Sequence, residues 1–225
     1  MSAYFETLNR RRVSSRPAMP VATPVRTPLP PPRLPAPSGP ASEYGALRDR
    51  LLAGGGRSLK TLVFAGCSGG EGCTDVARGL AETLADSGLD VLLVDAGRQA
   101  DGAGVLLAAG GCAGRLTVVP SPAAGPEPEH FFRSAEFASW LDVQRSTHDY
   151  VLVDAPPLLA FADATLMGRL CDGLVIVVEA EATERGTLLR ARDLLGRAGV
   201  KVLGVVLNRA RSPIPEVLRR YLPGE

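Results

Sequence analysis

Three absences narrow the reading of this chain. None of its four cysteines (Cys67, Cys73, Cys112, Cys171) falls in a CxxC pair or at a zinc-ligand spacing. That pattern argues against a metal module or a disulfide framework and reads as small apolar side chains in a reducing compartment. No stretch approaches the roughly 18 apolar residues that span a bilayer, and the N-terminus has no secretory h-region, so a soluble, cytoplasmic protein is expected. A basic surface is missing as well. Residues 1–40 carry six arginines and one glutamate, which leaves 19 of the 25 basic and 23 of the 24 acidic residues to the remainder. A mildly acidic body argues against nucleic acid as the main partner.

What is present divides the sequence in two. Residues 1–40 hold ten prolines, including Pro30-Pro31-Pro32, and proline without apolar periodicity cannot bury a core. A disordered Pro/Arg-rich tail over 1–40 is therefore expected. Ahead of its linker, Tyr4, Phe5 and Leu8 would share one face of a short helix followed by Arg10-Arg11-Arg12. This reads either as a docking peptide for a partner or an anionic membrane, or as an unstructured terminus.

Residues 41–225 give one α/β domain. Apolar runs at Leu62–Ala65, Val91–Val94, Leu116–Val119, Tyr150–Val153, Leu174–Val178 and Val202–Leu207 read as buried strands. Val76, Ala77, Leu80, Ala81, Leu84 and Ala85 repeat at helical spacing and stop at Gly88. A further helix is expected from Thr183 through Leu188, Ala191 and Leu195 to Gly199. Strands alternating with helices imply a doubly wound, mostly parallel sheet, with ligands at the carboxyl ends of its strands.

The most informative absence sits at such an end. Residues 67–74 follow the phosphate-loop pattern G-x-x-x-x-G-K-[ST], with Gly72 and Thr74 in place, Cys67 for the first glycine and Cys73 for the lysine. Gly69, Gly70 and Gly72 would let backbone N–H groups face an anion, and the helix N-terminus adds partial positive charge. The Thr74 hydroxyl would meet a bound Mg²⁺. Two further strands end in carboxylates, Asp95 and Asp154, each of which would either hold the metal beside the phosphates or cap the following turn. The alternative for the loop itself is a tight turn that binds nothing.

With these motifs the chain resembles the cytoplasmic ATPase domain of the bacterial tyrosine kinases of capsule and exopolysaccharide export. These are P-loop proteins related to the partitioning and septum-positioning ATPases. The resemblance rests on Gly70-Glu71-Gly72, residues 91–95, Pro126-Glu127-Pro128 leading to His130-Phe131-Phe132-Arg133-Ser134, and Asp149-Tyr150. It continues through Asp154-Ala155-Pro156-Pro157, Asp163, Asp172-Gly173 and 204–208. It implies a nucleotide site at Gly69, Gly70, Glu71, Gly72, Cys73 and Thr74, with Asn208 near the adenine. It makes Thr74, Asp95 and Asp154 the metal-side residues, with Asp154 in the Walker B position. It also implies ATP or ADP with Mg²⁺ as cofactors, and a separate membrane-spanning chain-length regulator or co-polymerase as partner. An active kinase paralogue and further copies of this chain are other candidate partners.

The departures count equally. Cys73 replaces the family's lysine, Gly97 its second Walker A′ aspartate and Gln99 a nearby arginine. The motif E-x-x-R-x-x-R becomes Ser42, Gly45 and Arg48, and the tyrosine-rich C-terminus is reduced to Tyr221. With Cys73 and Gly97 as degenerate positions, no intact catalytic set is expected, and nucleotide binding would be weak or absent. The preferred expectation is an impaired regulatory or binding component of polysaccharide export, held peripherally at the inner membrane face by its partner. The alternatives are a working tyrosine autokinase or ATPase using another cation, with Lys60 and Arg78 flanking the loop, or a partitioning-type positioning ATPase. A Cys73 thiolate favoured by the helix N-terminus would add redox sensitivity.

Overall fold

A computed structural model describes residues 41–55, 59–97, 105–107, 114–121 and 131–210. The sequence features at 1–40, Cys112, 126–130 and 214–222 lie outside the described residues.

The six apolar runs form strands. They are β1 (Thr61–Gly66), β2 (Asp90–Asp95), β4 (Arg115–Pro120), β5 (Tyr150–Ala155), β6 (Gly173–Glu179) and β7 (Val202–Asn208). A short β3 (Val105–Leu107) completes a sheet of order β3-β4-β2-β5-β1-β6-β7. All pairings are parallel except β3 with β4. Five helices are described: α1 (Ala41–Gly55), α2 (Cys73–Asp86), α3 (Ala135–Thr147), α4 (Asp163–Leu170) and α5 (Arg185–Arg197).

The period of two along each strand sorts its side chains between two cores. Val63, Ala65, Leu92, Val94, Val151, Val153, Leu174 and Ile176 face one way, onto Phe137 and Leu141 of α3, Ala164 and Met167 of α4, and Ala191 and Leu195 of α5. Leu62, Phe64, Val91, Leu93, Leu152, Val175 and Val177 face the other way, onto Val76, Ala77, Leu80, Ala81, Leu84 and Ala85 of α2. Burial on both faces is why the central strands read as continuous apolar runs. Each fully buried Leu, Val or Phe contributes about 1.5–3 kcal/mol.

Strand β1 lies between β5 and β6, and the connection leaving β1 through α2 and the one leaving its neighbour β6 through α5 run over opposite faces of the sheet. This is the reversal point at whose carboxyl edge ligand sites form. Helix α2 ends as its sequence implies: Ser87 and Gly88 donate to Leu84 and Ala85 carbonyls, and Gly88 takes φ 90°. Helix α5 starts later than expected, at Arg185. The Thr183 hydroxyl instead accepts the Glu179 N–H and closes the turn after β6.

Helix α1 rides on α2. The Tyr44 ring occupies the space a Cβ on Gly79 would fill, and Arg48 donates to the Ser87 hydroxyl at 2.8 Å. No helix among the described residues is long and apolar enough to cross a membrane.

Candidate functional site

The loop between β1 and α2 opens onto a cleft of about 720 Å³. Its lining includes Gly69 to Asp75, Asp95, Gly97, Asp154, Pro157 and Arg209. Gly69, Gly70 and Gly72 all hold positive φ (109°, 90° and 77°), a left-handed run that admits glycine and disfavours other residues. Gly72 is the N-cap of α2, and no side chain caps that end. The first amides of the helix are thus left for a ligand or water.

Glu71, expected among the nucleotide-binding residues, commits its carboxylate to the loop itself. It is buried, and it accepts the Ser68 and Gly69 N–H groups at 2.7 Å each. Gly66 beneath it must lack a side chain, because a Cβ there would lie 2.6 Å from Glu71 Oε2. The loop is braced from outside by the turn after β5, where Leu158 and Leu159 donate to the carbonyls of Gly66 and Cys67. Asn208 grips it from the other side, donating to the Glu71 carbonyl at 2.9 Å. In this structure the Asn208 amide therefore shapes the loop directly.

The two strand-end carboxylates do come together. Asp95 and Asp154 are paired neighbours on β2 and β5. Asp154 accepts the Thr74 hydroxyl at 2.6 Å, whereas Asp95 accepts the Gly97 N–H at 3.0 Å and so caps its own turn. Thr74 and Asp154 have the oxygen chemistry that Mg²⁺ prefers, so these residues fit a magnesium nucleotide. No group of three or more His, Cys, Asp or Glu side chains suited to a metal is present among the described residues. The remaining coordination would fall to phosphate and water oxygens.

Burial pushes the Asp154 carboxyl above the ordinary Asp value. Hydrogen bonds from Thr74 and Cys73 and the Arg78 charge oppose this, and Asp95 adds to it. At Cys73 the surroundings disfavour the thiolate that a redox role would use. Burial, then the adjacent Asp154 carboxylate, drives its thiol well above the usual range, and a contact with the Gly66 backbone offsets little. Burial first and the carboxylate second both favour the neutral thiol. Cys67 is also raised, to about 11 by burial.

Lys60 stands at the opposite end of β1, where its Nζ donates to the Arg145 carbonyl at 3.2 Å. The cation that sequence reasoning missed is Arg209. It follows the last residue of β7 with φ 55° and donates from Nη1 to the Gly70 carbonyl (3.1 Å) and to Glu179 (3.0 Å). A signal was available, since Arg209 directly follows a strand at the edge of the sheet that bears the cleft.

Asp154→Asn should separate stability from ligand chemistry. The neutral amide removes the penalty of a buried charge, so Tm is expected to rise by about 2–4 °C near pH 7. A raised carboxyl pKa means the folded state binds its proton first. The wild type should therefore gain stability as pH falls through that raised pKa towards the ordinary Asp value, and the variant should not. Thermal melts from pH 4 to 8 that ran parallel for both proteins would exclude this.

A family model described as the CobQ/CobB/MinD/ParA nucleotide binding domain matches residues 62–222. The chain is 28% identical over 193 residues to tyrosine-protein kinase CpsD of Streptococcus agalactiae, covering 76% of this chain and 84% of that protein. It is 25% identical over 190 residues to tyrosine-protein kinase YwqD of Bacillus subtilis strain 168, covering 75% and 80%. The kinase domain of the Escherichia coli tyrosine kinase ETK superposes with a TM-score of 0.66 at 24% identity, over 78% of this chain and 79% of that one, which shows the fold.

Proposed function

The chain belongs to the CobQ/CobB/MinD/ParA nucleotide-binding domain family, and from that premise we propose that it grips a magnesium nucleotide weakly without turning it over. Its role on this reading is that of a regulatory or binding component of bacterial exopolysaccharide or capsule synthesis and export. The observation that carries the proposal is the Cys73 side chain. At the lysine's place stands a buried thiol, and the Asp154 carboxylate beside it further disfavours its ionisation.

Phosphoryl transfer depends on positioned positive charge against the transferring group. Losing one such stabiliser costs about 10²–10³ in rate, and Gly97 removes a second polar group beside Asp95. Binding is affected less, because Gly72, Thr74 and Asp154 keep the amides and oxygens that meet phosphate and metal. Residues 41–225 are the nucleotide-binding unit in this proposal. Residues 1–40 form a tether to a membrane-spanning chain-length regulator at the inner face of the cytoplasmic membrane.

The test is phosphate release and radiolabelled phosphotransfer with Mg-ATP, alongside calorimetric titration with Mg-ADP. Binding in the micromolar to millimolar range with turnover at background is expected. Turnover at ordinary kinase rates that Asp154→Ala abolishes would overturn the proposal. For the tether, a chain lacking residues 1–40 should fail to recover the membrane partner that the full chain captures.

A further inference from the structure

Strands β6 and β7 end side by side at the mouth of the cleft, and the register pairs Glu179 with Asn208. The Ala180 N–H donates to the Asn208 carbonyl at 2.9 Å, which closes the two ends together. Asn208 then works in both directions. Its Nδ2 donates to the Glu71 carbonyl, and its Oδ1 accepts the Arg209 N–H at 2.9 Å. These bonds hold Arg209 in a left-handed backbone conformation that a non-glycine residue adopts only when its surroundings enforce it. The enforced turn sends the side chain over the phosphate loop. Nη1 reaches the Gly70 carbonyl, and Nη2 lies 3.5 Å from where a Cβ on Gly72 would stand. About half the side chain remains exposed, and its charge is balanced by Glu179.

On the nucleotide-binding reading above, on which this step rests, we propose that Arg209 is the cation of the site. Its guanidinium leaves Glu179 when a magnesium-bound nucleoside diphosphate or triphosphate enters and takes the outermost phosphate. Arginine suits this geometry better than lysine in two respects. Its planar fork binds phosphate oxygens in a bidentate manner, and its length spans the loop from outside. A lysine at position 73 would reach the phosphates from within α2, whereas Arg209 approaches from the β7 rim. It restores charge for binding while leaving the in-loop position of the lysine vacant of charge. Glu179 acts as a resident counter-ion that ligand must displace, which lowers affinity in the free protein.

Mg-ADP titrated calorimetrically into the full-length protein tests this with two variants of opposite expected sign. Arg209→Ala should weaken binding about tenfold. Glu179→Gln, which frees the guanidinium, should tighten it about two- to fivefold. If the pair merely braced the loop, both substitutions would weaken binding, and that outcome overturns the proposal. So does an unchanged affinity in Arg209→Ala, in which case nucleotide binding stands and the assignment of its cation fails. Absence of any Mg-ADP binding by the wild type overturns both.

Discussion

Cys73→Lys is expected to raise the affinity for Mg-ATP by about 10- to 100-fold, the equivalent of one charge-assisted hydrogen bond of about 1.5–3 kcal/mol. The substitution acts in a cleft whose charged lining is mostly acidic. Asp95 and Asp154 face it, and Arg209 is already balanced by Glu179. An ammonium beside Asp154 would also oppose the burial that raises this carboxyl. The ionised form, the one that would hold metal on the proposed reading, would then persist to lower pH.

Turnover should follow only in part. Gly97 leaves the position beside Asp95 empty, and a Cβ there would lie 3.1 Å from Asp95 Oδ1, so an aspartate fits after a shift of a few tenths of an ångström. The double variant Cys73→Lys with Gly97→Asp is expected to release phosphate about 10²–10³ faster than the wild type. The single variant should bind tightly and hydrolyse slowly. A folded Cys73→Lys protein with wild-type affinity would show that the missing ammonium is not what limits the site.

The sequence was legible where a single physical signal repeats. Strands β1, β5 and β6 are buried on both faces, so their apolar runs stand out, and the α2 stripe from Val76 to Ala85 has the period of a helix facing one core. Helix α3 was not specified because only Phe137 and Leu141 are buried along its 13 residues, too narrow a stripe to detect. Its Ser134 N-cap, which accepts the Phe137 N–H, is a local cue that carries little weight alone. Strand β3 is three residues long in a Gly/Ala-rich stretch and gives no period at all.

At the site, the loop and the Asp95–Asp154 pair could be read from spacing, since both sit at ends of recognisable strands. The internal use of the Glu71 carboxylate could not, because it depends on how the glycines at 69, 70 and 72 fold the loop back on itself. Arg209 lies 135 residues beyond Thr74 in sequence, and only the order β5-β1-β6-β7 brings β7 to the loop's rim.

At the opposite edge of the sheet, Asp172→Ala should cost about 3 kcal/mol and lower Tm by about 6–12 °C. Asp172 Oδ2 accepts the N–H groups of Lys60 and Thr61 at 2.8 and 2.7 Å and the Thr61 hydroxyl at 2.9 Å. Thr61 is fully buried, and the Arg145 guanidinium, 3.4 Å from Asp172 Oδ1, also donates to the Thr61 hydroxyl and the Leu170 carbonyl. Alanine removes the acceptor common to all three Oδ2 bonds and leaves the Arg145 charge without this partner.

Burial alone would raise the Asp172 carboxyl, but the donors of Thr61 and Lys60 and the charge of Arg145 outweigh it, so the pKa lies below the ordinary Asp value. A depressed carboxyl pKa stabilises the fold above about pH 3.9, and that contribution is lost as pH falls through the folded-state value. The stability gap between wild type and variant should thus be full at neutral pH and shrink in acid. Because Asp172 stands at the amino end of β1, away from the cleft, Mg-ADP affinity should be unchanged in the folded variant. A weakened affinity would mean that the two edges of the sheet are coupled through β1.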